Sequence, residues 1–373
     1  MFWITTAALS LLIWIYLVSL HGQFWRIPKT PAPVNVPARR VIVIIPARNE
    51  ADVIAESISS LLEQNFPTPP YIILVDDGST DGTAQAARKV ASEDHLTILT
   101  GEPLPPGWTG KLWAVHQGAQ EASNHQPDYL LFTDADIRHH PHNIAELMAN
   151  AEADHLDLAS YMVRLSTQNL AERALIPAFV YFFLQIYPPS WIANPTNKTA
   201  GAAGGCILLK PEALARIGGH AAIRGQIIDD CALARAVKSS GGKIWMGLTA
   251  NTQSIRPYSG FAEIGRMISR SAFNQLRHSI LLLAGTLAGL AITYVVPIAA
   301  LFSGQRVAAI LGLTAWLLMT ISYAPMIRFY KLPLVWAAAL PIIAIFYAAA
   351  TFRSAVQYWR GQGGTWKGRV QDA

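Results

Sequence analysis

"YLLFTDADIR", residues 129–138, is apolar for four residues and then reaches two aspartates, Asp134 and Asp136, separated by one alanine. The apolar run reads as a buried β-strand: it is short, continuous and bounded by a polar cluster. If the backbone stays extended through "TDAD", side chains two apart point to the same side, and both carboxylates face one spot. Like charges that close repel. A divalent cation, a shared proton or a neighbouring Arg or Lys has to offset the repulsion.

Working outward, "VIVII" (41–45), "YIILV" (71–75) and "LTIL" (97–100) are runs of the same kind, with helical patterns at 51–65, 81–93 and 111–123. Strands alternating with helices predict an α/β fold with a doubly wound, mostly parallel sheet. Ligands of such sheets sit at the carboxyl ends of the strands. "PARNE", "DDGSTDGT" and "TDAD" each follow a strand directly, so three loops are expected to converge on one crevice. Alone, "DGS" is a turn with an Asp cap; beside "TDAD" it acquires a functional reading.

The chain has no G-x-G-x-x-G after its first strand and no P-loop motif, so the crevice offers carboxylates instead of a glycine cradle. Carboxylates reach phosphate through Mg²⁺ or Mn²⁺. Asp134 and Asp136 therefore read as a metal platform for a diphosphate, the alternative being a pair that caps the helix beginning near Pro141.

Beyond these loops, the 373-residue chain is 52% hydrophobic and only 14% charged. Residues 1–20 carry no charge and match the roughly 20 residues of a membrane-spanning helix. No basic segment or small-residue cleavage site accompanies them, which disfavours a signal peptide. Further apolar runs lie at about 279–302, 307–327 and 332–352. The expected organisation is an anchor at 1–27, a Pro-rich linker at 28–40, a domain at 41–278, about three membrane segments within 279–352 and a basic tail at 353–373.

Arg26, Lys29, Arg39 and Arg40 follow the first apolar run, and Arg266, Arg270 and Arg277 precede the second, which places the domain in the cytoplasm. Four simple crossings would then put the tail, with Arg353, Arg360, Lys367 and Arg369, on the other side. A re-entrant or interfacial late run would remove that conflict. On a helical wheel Arg266, Arg270 and Arg277 form one basic stripe entering the membrane, expected to hold the diphosphate through Arg270 or a lipid headgroup, the alternative being that it only enforces orientation.

The net charge of +5 gathers at membrane edges without a basic stripe interleaved with aromatics, so nucleic acid is not an expected partner. Two cysteines without C-x-x-C spacing predict neither a disulfide framework nor a zinc site. His139, His140, His142 and His220 read as surface or loop residues, since their spacing suits no standard metal site.

"IPARNE", "VDDGSTDGT", "GKLWAVHQG", "TDAD" and "IIDDCALARAVKSSGG", in this order and approximate spacing, resemble the family 2 glycosyltransferases, which have the GT-A fold. The resemblance covers about 41–270. It implies Asp76, with Asp77 beside it, at the nucleotide base, and Pro46, Asn49 and Glu50 on the loop near base and ribose. It makes Asp136 the main ligand of Mg²⁺ or Mn²⁺, with Asp134 adjacent, and sets Lys111 at a helix start that favours phosphate. Asp230 takes the place of the catalytic base, preceded by Asp229. An acceptor hydroxyl attacking an anomeric carbon needs such a base; the conservative reading is that the pair only begins a helix.

Processive members carry Gln-x-x-Arg-Trp later on, but Met267 and Ser271 replace its Gln and Trp, and Arg270 alone survives. This disfavours a polymerase. Within the family, "LPPGWTGKLWAVHQG", "TDADIRHHP" and "GGHAAIRGQIIDDCALARAVK" look most like the bacterial hopanoid-biosynthesis-associated glycosyltransferases. That finer resemblance implies a polycyclic isoprenoid lipid acceptor and a multi-pass protein of the bacterial inner membrane. The aromatic stretch 175–193, "LIPAFVYFFLQIYPPSWIA", reads as interfacial or as a buried core helix. The expected enzyme moves a single sugar, with inversion, from a nucleotide diphosphate sugar to a lipid. A nucleotidyltransferase, releasing pyrophosphate, and a non-catalytic membrane scaffold are the rivals.

Overall fold

The computed structural model of the chain describes residues 1–27 and 36–362, and the backbone of 365–366 and 369–370. Most of the Pro-rich linker and the end of the basic tail lie outside the described residues. The chain divides into two units. One comprises Pro28–Ser166, Trp191–Pro257 and Thr365–Ala373; the other comprises Met1–Ile27, Thr167–Ser190 and Tyr258–Gly364. Segments 167–190 and 258–278, expected within a continuous domain, group instead with the apolar helices.

The first of these units is built on an eight-stranded sheet: β1 (Val41–Ala47), β2 (Tyr71–Asp76), β3 (Leu96–Thr100), β4 (Tyr129–Phe132), β5 (Ile137–Arg138), β6 (Leu158–Arg164), β7 (Ile207–Leu209) and β8 (Ile244–Ser254). Their order is β3-β2-β1-β4-β7-β6-β8-β5. The first four strands are parallel, β7 runs antiparallel between β4 and β6, and β5 closes the edge antiparallel to β8. The expected α/β, mostly parallel sheet is therefore present. β1 is buried along its whole length, with Ile44 opposite Ile73 on one side and Phe132 on the other. That is why it reads as unbroken apolar sequence rather than as alternation.

Helix Gly110–Ser123 packs on β1 and β2 at Gly118, where a Cβ would stand 2.6 Å from Ile44 Cγ2. Glycine there permits the close approach. The helix expected over 81–93 is shorter, Thr83–Arg88, because the chain must turn back to enter β3. "TDAD" is not extended: Ala135 and Asp136 form a turn between β4 and β5.

Among the described residues five helices are long and apolar enough to cross a membrane, nearly all of their length in the other unit: Phe2–Ser19, Leu170–Ala193, Ile280–Leu301, Arg306–Phe329 and Leu340–Trp359. Ile280–Leu301 contains a π-helical turn at Ala291–Val295, and the indole N–H of Trp14 donates to the carbonyl of Thr293 at 2.8 Å. A backbone acceptor within an apolar bundle thereby gains a partner. Gly312 brings Arg306–Phe329 against Pro297 and Ala300, where a Cβ would lie 2.5 Å from the Pro297 carbonyl oxygen. Small residues at such crossings let helix backbones meet.

The last apolar run differs from expectation. Its helix begins at Leu340, with Pro341 in the first turn, and continues through Arg353 to Trp359. Just before it, the carbonyl of Ala338 accepts from Trp316 Nε1 at 3.0 Å, and Trp316 lies well inside helix Arg306–Phe329. The far end meets the start of the Ile280 helix: Tyr358 stacks on His278 at 4.0 Å, Leu283 packs with Ala355, and Phe273 N–H donates to Ser354 Oγ at 3.0 Å. Helix Phe261–Gln275 carries Arg266 and Arg270, but Arg277 lies past its end with φ 51°, so the expected stripe of three is broken.

Candidate active site

The loops after β1 and β2 are joined through backbone groups. Asn49, in the left-handed region at φ 55°, donates its N–H to Ser79 Oγ at 2.9 Å, and its side-chain oxygen accepts from Thr80 N–H at 2.9 Å. Asparagine is among the residues that tolerate this backbone region. Glu50 N–H donates to Thr83 Oγ1 at 2.8 Å, while Asp76 Oδ1 accepts from Ser79 N–H at 2.9 Å. These bonds explain the polar sequence of both loops: each short side chain replaces a backbone partner. Asp77 is buried and paired with Arg48, and the carboxylate of Glu50 is paired with Arg256, which also lies 3.2 Å from Asp52.

Asp136 is fixed from β8. Ser254 Oγ donates to its Oδ2 at 2.8 Å, and Ile255 N–H donates to its carbonyl at 2.9 Å. Burial raises the carboxyl's pKa, and the charge of Asp134 raises it further. Beneath the turn lies a buried network. His139 meets Thr133 Oγ1 and the Asn143 side chain, both at 3.0 Å; Thr252 Oγ1 donates to Asn143 Oδ1 at 2.9 Å; Thr133 Oγ1 donates to the Gly205 carbonyl at 2.8 Å. His139 and His220 are 3% and 2% exposed, so neither is a surface residue, although His139 does lie on the loop after β5.

Lys111, in the first turn of helix Gly110–Ser123, stands between two pairs of acids. Its ammonium is 2.8 Å from Asp134 Oδ1 and 3.6 Å from Asp229 Oδ2. Burial pulls its pKa down, but Asp134, Asp229 and Asp230 outweigh burial and raise it, so Lys111 is charged. A neighbouring lysine is thus one of the groups that offset the acidic loop. Helix Asp229–Ser239 begins with the two aspartates, where the helix dipole favours negative charge. Asp230 Oδ2 accepts from Gly204 N–H at 2.9 Å and Oδ1 from Cys231 N–H at 2.7 Å. Even so, burial and then the charge of Asp229 push its carboxyl up to about 6, against the opposing pull of Lys111.

One cleft gathers Pro46, Lys111, Asp134, Gly204, His220, Asp229 and Asp230, with Phe132, Val115, Ile223 and Leu233 as apolar wall. Asp136 adjoins it through Asp134. Asn49, Glu50, Asp76 and Asp77 belong to the adjoining loops but not to this wall, and Arg270 lies exposed on a helix of the other unit. Sequence reasoning missed Gly204, Arg256 and the enclosed position of His220. A Cβ on Gly204 would stand 3.3 Å from Lys111 Nζ and 3.4 Å from Asp230 Oδ2. Nothing local marks these three, since the folding of the turn before β7, of the segment after β8 and of the 218–228 loop brings them in.

Among the described residues no group of three or more His, Cys, Asp or Glu is arranged to hold a metal unaided. The carboxylates of Asp134 and Asp136 are hard oxygen donors of the type that fits a cation completed by phosphate oxygens and water.

Residues 42–218 match the family described as "Glycosyl transferase family 2". A 4,4'-diaponeurosporenoate glycosyltransferase of Staphylococcus aureus is 32% identical over 104 residues, which is 28% of this chain and 26% of that protein. The chain thus spans about a quarter of the length of the curated relatives it matches. Among solved structures, a mannosyltransferase from Pyrobaculum calidifontis in complex with GDP-Man and Mn²⁺ superposes with a TM-score of 0.59. It shares 18% identity over 94% of this chain and 98% of its own, which establishes a common GT-A type fold. Glucosyl-3-phosphoglycerate synthase from Mycobacterium tuberculosis, solved with Mn²⁺ and UDP-Glc, is a looser likeness: TM-score 0.40 and 18% identity over 61% of this chain and 76% of its own.

Proposed function

We propose, from the match of residues 42–218 to the family 2 glycosyltransferases, that the protein moves one sugar from a nucleotide diphosphate sugar to a lipid at a membrane. The observation that carries this reading is the single cleft in which Lys111 separates Asp134 from Asp229 and Asp230. Asp134 and Asp136 would hold Mg²⁺ or Mn²⁺, whose charge stabilises the departing diphosphate. Lys111 adds a second cation on the same side. Asp230 takes the proton of the attacking hydroxyl, its pKa raised towards the range useful to a base. With base and leaving group on opposite sides of the anomeric carbon, the displacement inverts it.

A lipid acceptor is supported by the helices long and apolar enough for a membrane and by the acceptor in the S. aureus relative's name. Three helices, Phe2–Ser19, Ile280–Leu301 and Arg306–Phe329, cross in this reading. Leu340–Trp359 starts partway along Arg306–Phe329 and returns to the face where Ile280 begins. Leu170–Ala193 is bracketed by β6 and β7, which pair in one sheet, so it too leaves and re-enters one side. Arg353 and Arg360 then lie towards the face where Ile280 begins, taken in this reading as the cytoplasmic face of a bacterial inner membrane, in accord with the positive-inside tendency.

The finer acceptor we propose is a polycyclic isoprenoid of the hopanoid type. Mass spectrometry of total lipids from cells with and without the gene tests the reading. A glycosylated hopanoid should vanish with the gene; loss of a different glycolipid would replace the acceptor, and an unchanged lipid profile would contradict the function.

A further inference from the structure

His220 is 2% exposed, yet neither of its ring nitrogens has a hydrogen-bond partner. Native proteins rarely leave a buried imidazole in that state. Its position is built. Gly218 and Gly219, at φ 84° and 71°, turn the chain into the short 3₁₀ segment His220–Ile223, and the ring lies edge-on to Phe132 at 5.2 Å. Packing alone would be served as well by an apolar ring. The same side chain lines the cleft with Lys111, Asp134 and Asp230. Burial, and then neighbouring His116, pull its pKa down to about 3, so it is neutral and presents one donor and one acceptor. A sugar hydroxyl, which both donates and accepts, matches that pair.

We propose that His220 binds a hydroxyl of the sugar being transferred, making it a determinant of donor-sugar recognition. The inference rests on the glycosyltransferase reading above. In that reading the acceptor has to reach only the anomeric carbon beside Asp230, whereas the whole sugar must occupy the cleft between base and diphosphate. A group as enclosed as His220 is therefore met by the sugar.

The test is calorimetric titration of the purified full-length protein, in Mn²⁺, with UDP, UDP-glucose, GDP and GDP-mannose, for wild type, His220→Phe and His220→Gln. For whichever nucleotide binds the wild type, His220→Phe should raise the Kd of the sugar conjugate about tenfold or more and change that of the nucleoside diphosphate less than about twofold. His220→Gln, whose amide donates and accepts, should restore part of the loss. Equal Kd values for the conjugate in wild type and His220→Phe would overturn the inference, as would equal losses on conjugate and nucleoside diphosphate. Absence of binding by the wild type to all four would overturn the glycosyltransferase reading itself, and the inference with it.

Discussion

At Asp230 opposing influences meet: Lys111 and two backbone N–H groups favour its ionised form, while burial and Asp229 disfavour it more strongly. The consequence is kinetic. A base works only when deprotonated, and with the carboxyl raised to about 6 a growing share is protonated below that pH. We expect kcat/KM to fall about tenfold per pH unit on the acid side and to level off above about pH 7. Asp230→Asn should lower transfer by about 10² or more and remove this acid limb, while the Kd for nucleotide sugar stays within about tenfold. Near-normal turnover in Asp230→Asn would remove it as the base. A collapse of donor affinity would move it to the donor site.

At the scale of elements, the acidic turn is held from beneath. Asn143 links His139, Thr252 and Cys206, and His139 in turn meets Thr133 at the end of β4. Replacing one member of a buried network leaves the others without partners, at about 1–3 kcal/mol per group. Asn143→Leu should therefore lower the melting temperature of the detergent-purified protein and also weaken Mn²⁺-dependent transfer. An unchanged melting curve would show that the network contributes nothing. Strands β1, β2 and β4 were legible because each is buried on both faces and so is continuously apolar, whereas β3, a half-buried edge strand, was legible from its short β-branched run alone. β7 has only three residues, and β8 ends in "TANTQS", so neither carries a pattern that sequence alone resolves. "TDAD" was read as extended backbone and is a turn, since small and polar residues suit a turn as well as a strand.

For the whole molecule, the paired acids, Lys111 and the two aspartates of the last motif were readable because each directly follows a strand or opens a helix. His220 and Arg256 were not, since their neighbours come from distant segments. Membrane topology was ambiguous for a related reason: apolar length does not say where a helix starts in depth. The topology proposed above takes that depth from the bond of Trp316 to Ala338 and the stack of Tyr358 on His278. Cys206 and Cys231 are buried, so single added cysteines report cleanly. In oriented membrane vesicles, an impermeant maleimide should label Gln362→Cys from the same side as Glu63→Cys, and Ser303→Cys from the other. Labelling of Ser303→Cys and Gln362→Cys from one side would restore four crossings.

The central claim, metal-dependent transfer of a sugar to a lipid, is tested most directly by incubating the purified full-length protein with radiolabelled nucleotide sugars, Mn²⁺ and a membrane lipid extract. We expect labelled lipid and nucleoside diphosphate in equal amounts, both abolished by EDTA and nearly abolished in Asp136→Asn. Release of pyrophosphate, or full transfer by Asp136→Asn in EDTA, would contradict the account.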